Sequence, residues 1–464
     1  MERINIYNPY DRSLITSLPQ AGTIEVEQAL IKAQKIFSDR SAWLPAHVRI
    51  EILEKTVTIM ENRFEDLITT AAREGGKPYM DSKVEVLRAI NGVKLAIQYI
   101  GQLKGQEIPM GLTKASENRI AFTRLEPIGV VASISAFNHP LNLIIHQTVT
   151  AIAAGCPVIV KPARSTPLSC LKLAGILEEA GLPEGWCQVL ICGHEATEVL
   201  VSDPIIKYLS FIGSSRVGWS LRKKLATGTH CAMEHGGAAP VIVEPDAQMK
   251  EMLPALLKGG FYHAGQVCVS VQKIYAHKMI VEELAKKLSG MAEQLVVGDP
   301  LDKKTEVGPL IETSEVDRVE EWVNQAVSEG AGLICGGKRI SDTCFEPTIL
   351  MNPPETSMVS RNEIFGPVVC IYSYTDRLKA IELANSLPFC FQAAVFSKNI
   401  DIAMDSASRL KATSVMINDH TAFRVDWMPF GGLEESGIGV GGIPYTMREM
   451  SREKLTVIKS SLLP

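Results

Sequence analysis

The 464-residue chain is predicted to fold as an α/β protein with two doubly wound domains and a small β arm. Three observations predict it. Short apolar runs at 130–134, 158–160, 189–191 and 208–212 are separated by stretches of helical periodicity. Beyond the Gly236-Gly237 pair a second alternating unit begins. The length exceeds what one hydrophobic core serves and suits two or three domains.

From the amino end, Val26, Leu30, Ala33 and Phe37 recur at helical spacing. A second long helical pattern runs from His47 to Gly75-Gly76, just before Pro78, so residues 23–100 read as a helical lead-in. Strands alternating with helices from 128 onward argue for a parallel sheet, the usual home of a dinucleotide. In the second unit, helices are expected over 279–295 and over 314–330, with Ser314 as a cap facing Asp317. Ile120, Phe122 and Leu125, and later Leu455, Val457 and Ile458, read as strands belonging to neither core. The expected division is a dinucleotide-binding domain over 1–104 and 127–236, a catalytic domain over 237–430, and an arm over 105–126 and 447–464. No internal repeat, low-complexity tract or long linker interrupts the chain.

Composition excludes several classes. With 46% hydrophobic and 21% charged residues, and 47 basic against 52 acidic, the chain is an ordinary globular one that offers no attraction for nucleic acid or membrane. Ten cysteines are scattered singly without a Cys-x-x-Cys pair, which argues against a disulfide framework or a structural metal site and for a reducing, cytoplasmic setting. The amino terminus lacks the order of a signal peptide, and no apolar run reaches the ~18 residues of a membrane span.

The chemistry rests on two residues thirty-four positions apart, Glu234 in Ala-Met-Glu-His-Gly-Gly-Ala and Cys268 in Gly-Gln-Val-Cys-Val-Ser. A thiolate adds to an aldehyde carbon, the adduct gives up hydride, and a carboxylate activates the water that hydrolyses the thioester. Around this pair stand Pro-Ile-Gly-Val-Val (127–131), Ser-Ala-Phe-Asn-His-Pro (135–140), Val-Lys-Pro-Ala-Arg-Ser-Thr-Pro-Leu (160–168) and Phe-Ile-Gly-Ser-Ser-Arg-Val-Gly (211–218). Asn-Glu-Ile-Phe-Gly-Pro-Val (362–368) and Met-Pro-Phe-Gly-Gly (428–432) follow. In this order and spacing the chain resembles the aldehyde dehydrogenase superfamily over nearly its whole length.

The resemblance implies roles. Cys268 is the nucleophile; free cysteine is commonly a small core hydrophobe, but Gly265 and the matching segment set this one apart. Its pKa is expected to be depressed, or its proton removed as substrate and cofactor assemble. Glu234 is the general base of deacylation, on a strand-to-turn segment where Gly236-Gly237 lets the chain fold sharply. Asn138 and the Cys268 N–H hold the oxyanion, each donor contributing roughly 3 kcal/mol in comparable acyl-transfer sites. His235, where the family more often has Leu, is a departure read as packing. Lys161 lies at the adenosine ribose, and Gly213 and Ser214 face a pyrophosphate at a helix start. Glu363 holds the nicotinamide ribose and Phe365 lies near that ring. Ala163 belongs to the same cofactor loop. Arg164 stands where NAD-selective relatives often have Glu, which removes a repulsion and tips the choice between NAD and NADP slightly toward NADP.

The substrate tunnel is implied to be lined by Leu143 and His146, by Tyr262, and by Phe423, Arg424 and Trp427. A guanidinium and an imidazole there suit a short polar or anionic aldehyde. An ion pair of Arg424 with Asp426, or with another acid at an interface, is the competing reading. The run at 418–426 resembles the branch of lactaldehyde, phosphonoacetaldehyde and semialdehyde oxidisers. The arm implies a homodimer or homotetramer. Two other chemistries compete: coenzyme A-acylating oxidation, disfavoured by Glu234, and a cofactor-free cysteine hydrolase pairing Cys268 with His263 or another histidine.

Overall fold

The computed structural model describes residues 2–463. Its first sheet has six strands in the order Gly437–Ile438, His230–Glu234, Ile206–Ile212, Val130–Ile134, Val158–Lys161, Cys187–Val189. All run parallel except Gly437–Ile438, which is antiparallel to its neighbour. Side chains along Val130–Ile134 alternate between two cores, as a strand's two-residue period requires. Val130 and Ala132 pack with Val26, Leu30 and Leu209 on one face. Val131 packs with Leu53, Val93 and Leu177 on the other.

The second sheet has seven strands in the order Gly332–Cys335, Thr348–Met351, Val368–Tyr374, Lys273–His277, Pro240–Val243, Gln392–Phe396, Ser414–Ile417. Only its Gly332–Cys335 edge is antiparallel. Strands Ser451–Lys459, Arg119–Pro127 and Glu107–Ile108 form a separate antiparallel sheet.

Several boundaries differ from the sequence reading. The expected strand at 189–191 lies at Cys187–Val189, because its ladder with Val158–Lys161 begins where Val158 N–H bonds the Trp186 carbonyl. The pattern from His47 to Gly75 is two helices, Ala46–Asn62 and Phe64–Gly75, broken at Arg63. The helix at 279–295 spans Val281–Ala292, and the one at 314–330 spans Thr313–Ser328. Ser314 is therefore inside the latter helix, and the residue that precedes the helix is Glu312. After 430 the chain returns to the first sheet, since Gly437–Ile438 pairs with His230–Glu234. Residues 1 and 464, the outer limits of the expected domain and arm, lie outside the described residues.

The helical lead-in does more than cover a sheet. At the turn between Phe64–Gly75 and Tyr79–Ile100, Gly76 has φ +70, where a side chain would also strike Pro309. Fully buried carboxylates flank this turn. Glu74 accepts the N–H groups of Leu168 (2.6 Å) and Ser169 (2.8 Å), which open helix Leu168–Glu179. Glu85 accepts those of Leu141 (2.9 Å) and Asn142 (3.0 Å), just past Asn138. An anion satisfies the orphan donors of a helix start and complements its positive end. Lys77, with no exposed side-chain surface, supplies the counter-charge to Glu85.

This pair yields a stability prediction. Lys77→Met strands a buried carboxylate and should cost about 3–5 kcal/mol, whereas Lys77→Met with Glu85→Gln should recover most of that loss. Urea midpoints of the two variants check it; equal midpoints would show the pair is not coupled.

Candidate active site

The first sheet's strand order reverses between Val130–Ile134 and Ile206–Ile212, so a crevice opens beyond their carboxyl ends. The amino ends of second-sheet strands face the same crevice, since Gly237, Cys268 and Glu363 precede Pro240–Val243, Lys273–His277 and Val368–Tyr374. The result is one cavity of about 850 Å³ lined by Asn138, Leu143, Lys161, Ala163, Gly213, Ser214, Glu234, Tyr262, Cys268, Glu363, Phe365 and Arg424. Of the residues singled out from sequence, Arg164, His146, Phe423 and Trp427 do not line it; Phe423 and Trp427 are exposed at the surface instead.

Cys268 is half-buried on a loop of unusual backbone. His263, Ala264 and Gly265 have φ values of 49, 54 and 71, three left-handed residues in succession. Gly265 is obligatory, because a Cβ there would overlap the Gly366 carbonyl. Asn138 donates from Nδ2 to the Gln266 carbonyl at 2.9 Å, using one of its two N–H groups. The Gln266 amide donates to Pro309 O (3.2 Å) and accepts from Ile311 N–H (2.9 Å). Downstream, Thr421 Oγ1 donates to the Val269 carbonyl at 2.6 Å. The nucleophile loop is thus anchored on three sides.

Electrostatics run against the expectation of a depressed thiol pKa. Burial pushes Cys268 up to about 12, and the Glu363 charge adds to the effect; Arg424 opposes it and Glu234 reinforces it. The resting group is a thiol. Burial likewise raises the Glu234 carboxyl above its ordinary range, with Arg424 pulling it down. Glu363 is pushed up to about 8 by burial, against the Gly237 N–H and the charge of Arg318. Burial in one cavity thus shifts all three acids toward their neutral forms.

Gly236 and Gly237 are not at positive φ, so the sharp turn expected there is not what they provide. Gly236 instead lets Glu363 approach, since a Cβ would overlap its carboxylate. Gly441 does the same for Glu234. His235 packs edge-on against Trp219 (5.1 Å) and Phe211 (5.7 Å), with Nδ1 bonded to the Glu435 carbonyl at 2.9 Å.

Toward the first sheet the cavity has features that fit a dinucleotide. Among the described residues, partly buried Lys161 has no carboxylate partner, its Nζ reaching only the Pro162 carbonyl at 3.4 Å. Burial lowers its pKa. Ser214 precedes helix Ser215–Arg222 with its hydroxyl free of any capping bond. Phe365, at φ +50, packs edge-on against Phe137. Arg164 is exposed and makes no ion pair among the described residues.

At the opposite end lie charges that sequence reasoning missed. Arg88, from helix Tyr79–Ile100, binds Asp426 through Nη2 (2.7 Å) and Nε (3.2 Å). His146 and Asn142 also bond Asp426, at 2.8 and 3.3 Å. His146 is therefore turned away from the cavity, within a π-helical stretch at Ile145–Val149, and burial drives its pKa to about 4. Because Asp426 is taken, the ion pair with Arg424 does not form. Arg424 stacks its guanidinium 3.5 Å from the Phe430 ring centroid, and its Nε has no partner. Tyr262 contacts His139 Nε2 at 3.2 Å. One signal for Arg88 was available: Asp81, Glu85 and Arg88 put charges on a helix face that also carries buried Ala89 and Gly92.

His263 is fully buried, outside the cavity lining, with both ring nitrogens unpartnered. No cysteine–histidine bond involves Cys268 among the described residues. Nor does any cluster of His, Cys, Asp or Glu there suit a metal ion.

Comparison with known proteins agrees with this picture. Residues 1–456 match the Aldehyde dehydrogenase family. A 3-sulfolactaldehyde dehydrogenase of Priestia aryabhattai is 37% identical over 458 residues, covering 98% of this chain and 95% of the relative. The crystal structure of aldehyde dehydrogenase 21 from Physcomitrella patens, in complex with the reaction product succinate, has a TM-score of 0.95 at 33% identity, covering 99% and 96%. That of a glyceraldehyde-3-phosphate dehydrogenase from Methanocaldococcus jannaschii, complexed with NADP, has a TM-score of 0.93 at 36% identity, covering 98% and 99%. The chain belongs to the aldehyde dehydrogenase family and is an oxidoreductase.

Proposed function

We propose that the protein oxidises a short aldehyde carrying an anionic group to the carboxylic acid, through a thioester on Cys268. The observation that carries the substrate class is Arg424, a guanidinium in the cavity wall left without a carboxylate partner because Asp426 is held by Arg88 and His146. A buried cation without its own anion favours a ligand that brings one. Two relatives named for anionic aldehydes, sulfolactaldehyde and glyceraldehyde 3-phosphate, support the same class, beside others named for lactaldehyde.

The reaction runs on the residues described. The Cys268 sulfur bonds to the aldehyde carbon as the C=O π pair moves onto oxygen and the thiol proton passes to water in the cavity. Asn138 Nδ2 and the Cys268 N–H stabilise the oxygen that takes the charge. A bound nicotinamide dinucleotide supplies the hydride acceptor. Glu234, ionised, then takes a proton from water as its oxygen bonds to the thioester carbon, and the Cys268 sulfur leaves. Lys161, Ser214 and Glu363 are the residues we assign to the dinucleotide, and Lys161 with exposed Arg164 favours NADP. The retained Glu234 argues for water over coenzyme A as acyl acceptor. The arm, with Ile120, Leu455, Val457 and Ile458 exposed, is assigned to pairing between copies of the chain. Ten free cysteines fit a reducing cytoplasm.

Cys268→Ala should abolish aldehyde oxidation while dinucleotide affinity stays within roughly twofold; retained turnover would remove Cys268 from its role. Arg424→Leu should raise KM for anionic aldehydes by about tenfold or more, the effect of losing one charged contact, and leave KM for neutral aldehydes unchanged. Equal losses for both would make Arg424 structural. In the free enzyme, alkylation of Cys268 by iodoacetamide should still be accelerating at alkaline pH, because burial holds the thiol well above the ordinary value. A plateau below neutrality would contradict that. The sign for Glu234 is related: it works ionised and its pKa is raised, so deacylation should weaken on the acid side at a higher pH than an ordinary glutamate would give.

A further inference from the structure

Gln272 lies four residues beyond Cys268, immediately before strand Lys273–His277, and is 4% exposed. Its side-chain amide is spent on one target. Nε2 donates to the Asn362 carbonyl at 2.6 Å, with the Val359 carbonyl further off at 3.4 Å, and Oε1 accepts the Ile364 N–H at 2.8 Å. Asn362 and Ile364 are the two neighbours of Glu363. A single primary amide therefore grips the backbone on both sides of that carboxylate.

The segment needs such a grip. Between helix Met358–Arg361 and strand Val368–Tyr374 it has no regular hydrogen-bond ladder, and Phe365 sits at φ +50. Besides Gln272, its side-chain supports are Arg318, whose Nη2 donates to the Ile364 carbonyl at 2.8 Å, and Lys273, whose Nζ donates to the Ser360 carbonyl one turn earlier. Among uncharged side chains, only a primary amide offers a donor and an acceptor side by side to match a carbonyl and an N–H. Asn would be one methylene too short, Glu would lose the donor when ionised, and Leu would lose both.

We infer that Gln272 is a positioning residue that fixes Glu363 at a set distance from Cys268, so that the nucleophile and the dinucleotide wall move as one piece. The inference rests on the reading of Glu363 as the holder of the nicotinamide ribose. Cys268 and Gln272 are separated by three residues, themselves tied down by Ser270 N–H to the Val267 carbonyl and Val271 N–H to the Gly259 carbonyl, both at 2.9 Å. Little slack is left between the two groups. Displacing the 362–364 backbone would move the ribose holder relative to the sulfur without touching Lys161 or Ser214, so hydride transfer would suffer more than dinucleotide binding.

The test is a double-mutant cycle on the full-length enzyme, reading the rapid first turnover of dinucleotide reduction with saturating NADP and aldehyde. Gln272→Leu is expected to slow that phase about tenfold, part of the ~100-fold that a 1 Å misplacement costs, with NADP affinity changed less than roughly threefold. Gln272→Glu, which keeps the acceptor for Ile364, should fall between it and wild type. In a Glu363→Gln background, Gln272→Leu should cost no more than roughly twofold, because coupled residues are not additive. Fully additive losses, or a normal first turnover in Gln272→Leu while Glu363→Gln is slow, would overturn the proposal. A normal first turnover in Glu363→Gln would overturn the ribose reading of Glu363 on which it rests. If Gln272→Leu does not fold, the same cycle is read with Gln272→Glu and Gln272→Asn, and additivity there is equally contrary.

Discussion

The hydrogen bond from Asn138 Nδ2 to the Gln266 carbonyl is the contact on which the site depends. It joins the carboxyl end of strand Val130–Ile134, in the first sheet, to the loop that carries Cys268 ahead of the second. Each end is held in turn. Asn138 is followed by a helix start whose N–H groups are bound by Glu85, and Gln266 is fastened to Pro309 and Ile311. Two sheets folded around separate cores thereby present one cavity with fixed walls. The other groups of the site take their positions relative to that seam.

Within the cavity the dominant physical effect is desolvation. Cys268, Glu234 and Glu363 are all driven toward their neutral forms by burial, and only Arg424 among the nearby cations opposes this at the nucleophile. A neutral resting state protects a reactive sulfur from adventitious electrophiles and leaves activation to the assembled complex. The arrangement at Asp426 is complementary. Three partners absorb its charge, leaving the Arg424 guanidinium over Phe430 without a carboxylate of its own. Stacking on an aromatic face keeps a cation in place while sparing its donors for a ligand.

Much of this was legible in the sequence because the groups that need backbone placement sit in local motifs. Both strand ends that open the crevice, before Asn138 and before Gly213, were readable as apolar runs, and Glu234 was readable on a strand-to-turn segment. The Gly236-Gly237 pair was legible as a motif but not in its role: Gly236 gives clearance for Glu363, and Gly237 donates its N–H to that carboxylate. What could not be read is contact over distance. Arg88 and Asp426 are 338 residues apart, and no local pattern pairs them. His146 was misread for a related reason: an ideal helix would keep it on the face of Leu143, but the chain is π-helical there and Asp426 captures the ring. Of the two expectations for the thiol, a depressed pKa or proton removal on assembly, the first does not hold, because burial, invisible in sequence, outweighs the one nearby cation.

The central claim is a covalent acyl group on Cys268 that Glu234 is needed to release. Its most direct test is intact-protein and peptide mass measurement of the Glu234→Gln variant after mixing with NADP and a short anionic aldehyde. The account predicts a stoichiometric mass increase equal to the acyl group, on the peptide containing Cys268, absent when NADP is left out. An unmodified chain after dinucleotide reduction, or an adduct on another cysteine, would contradict it.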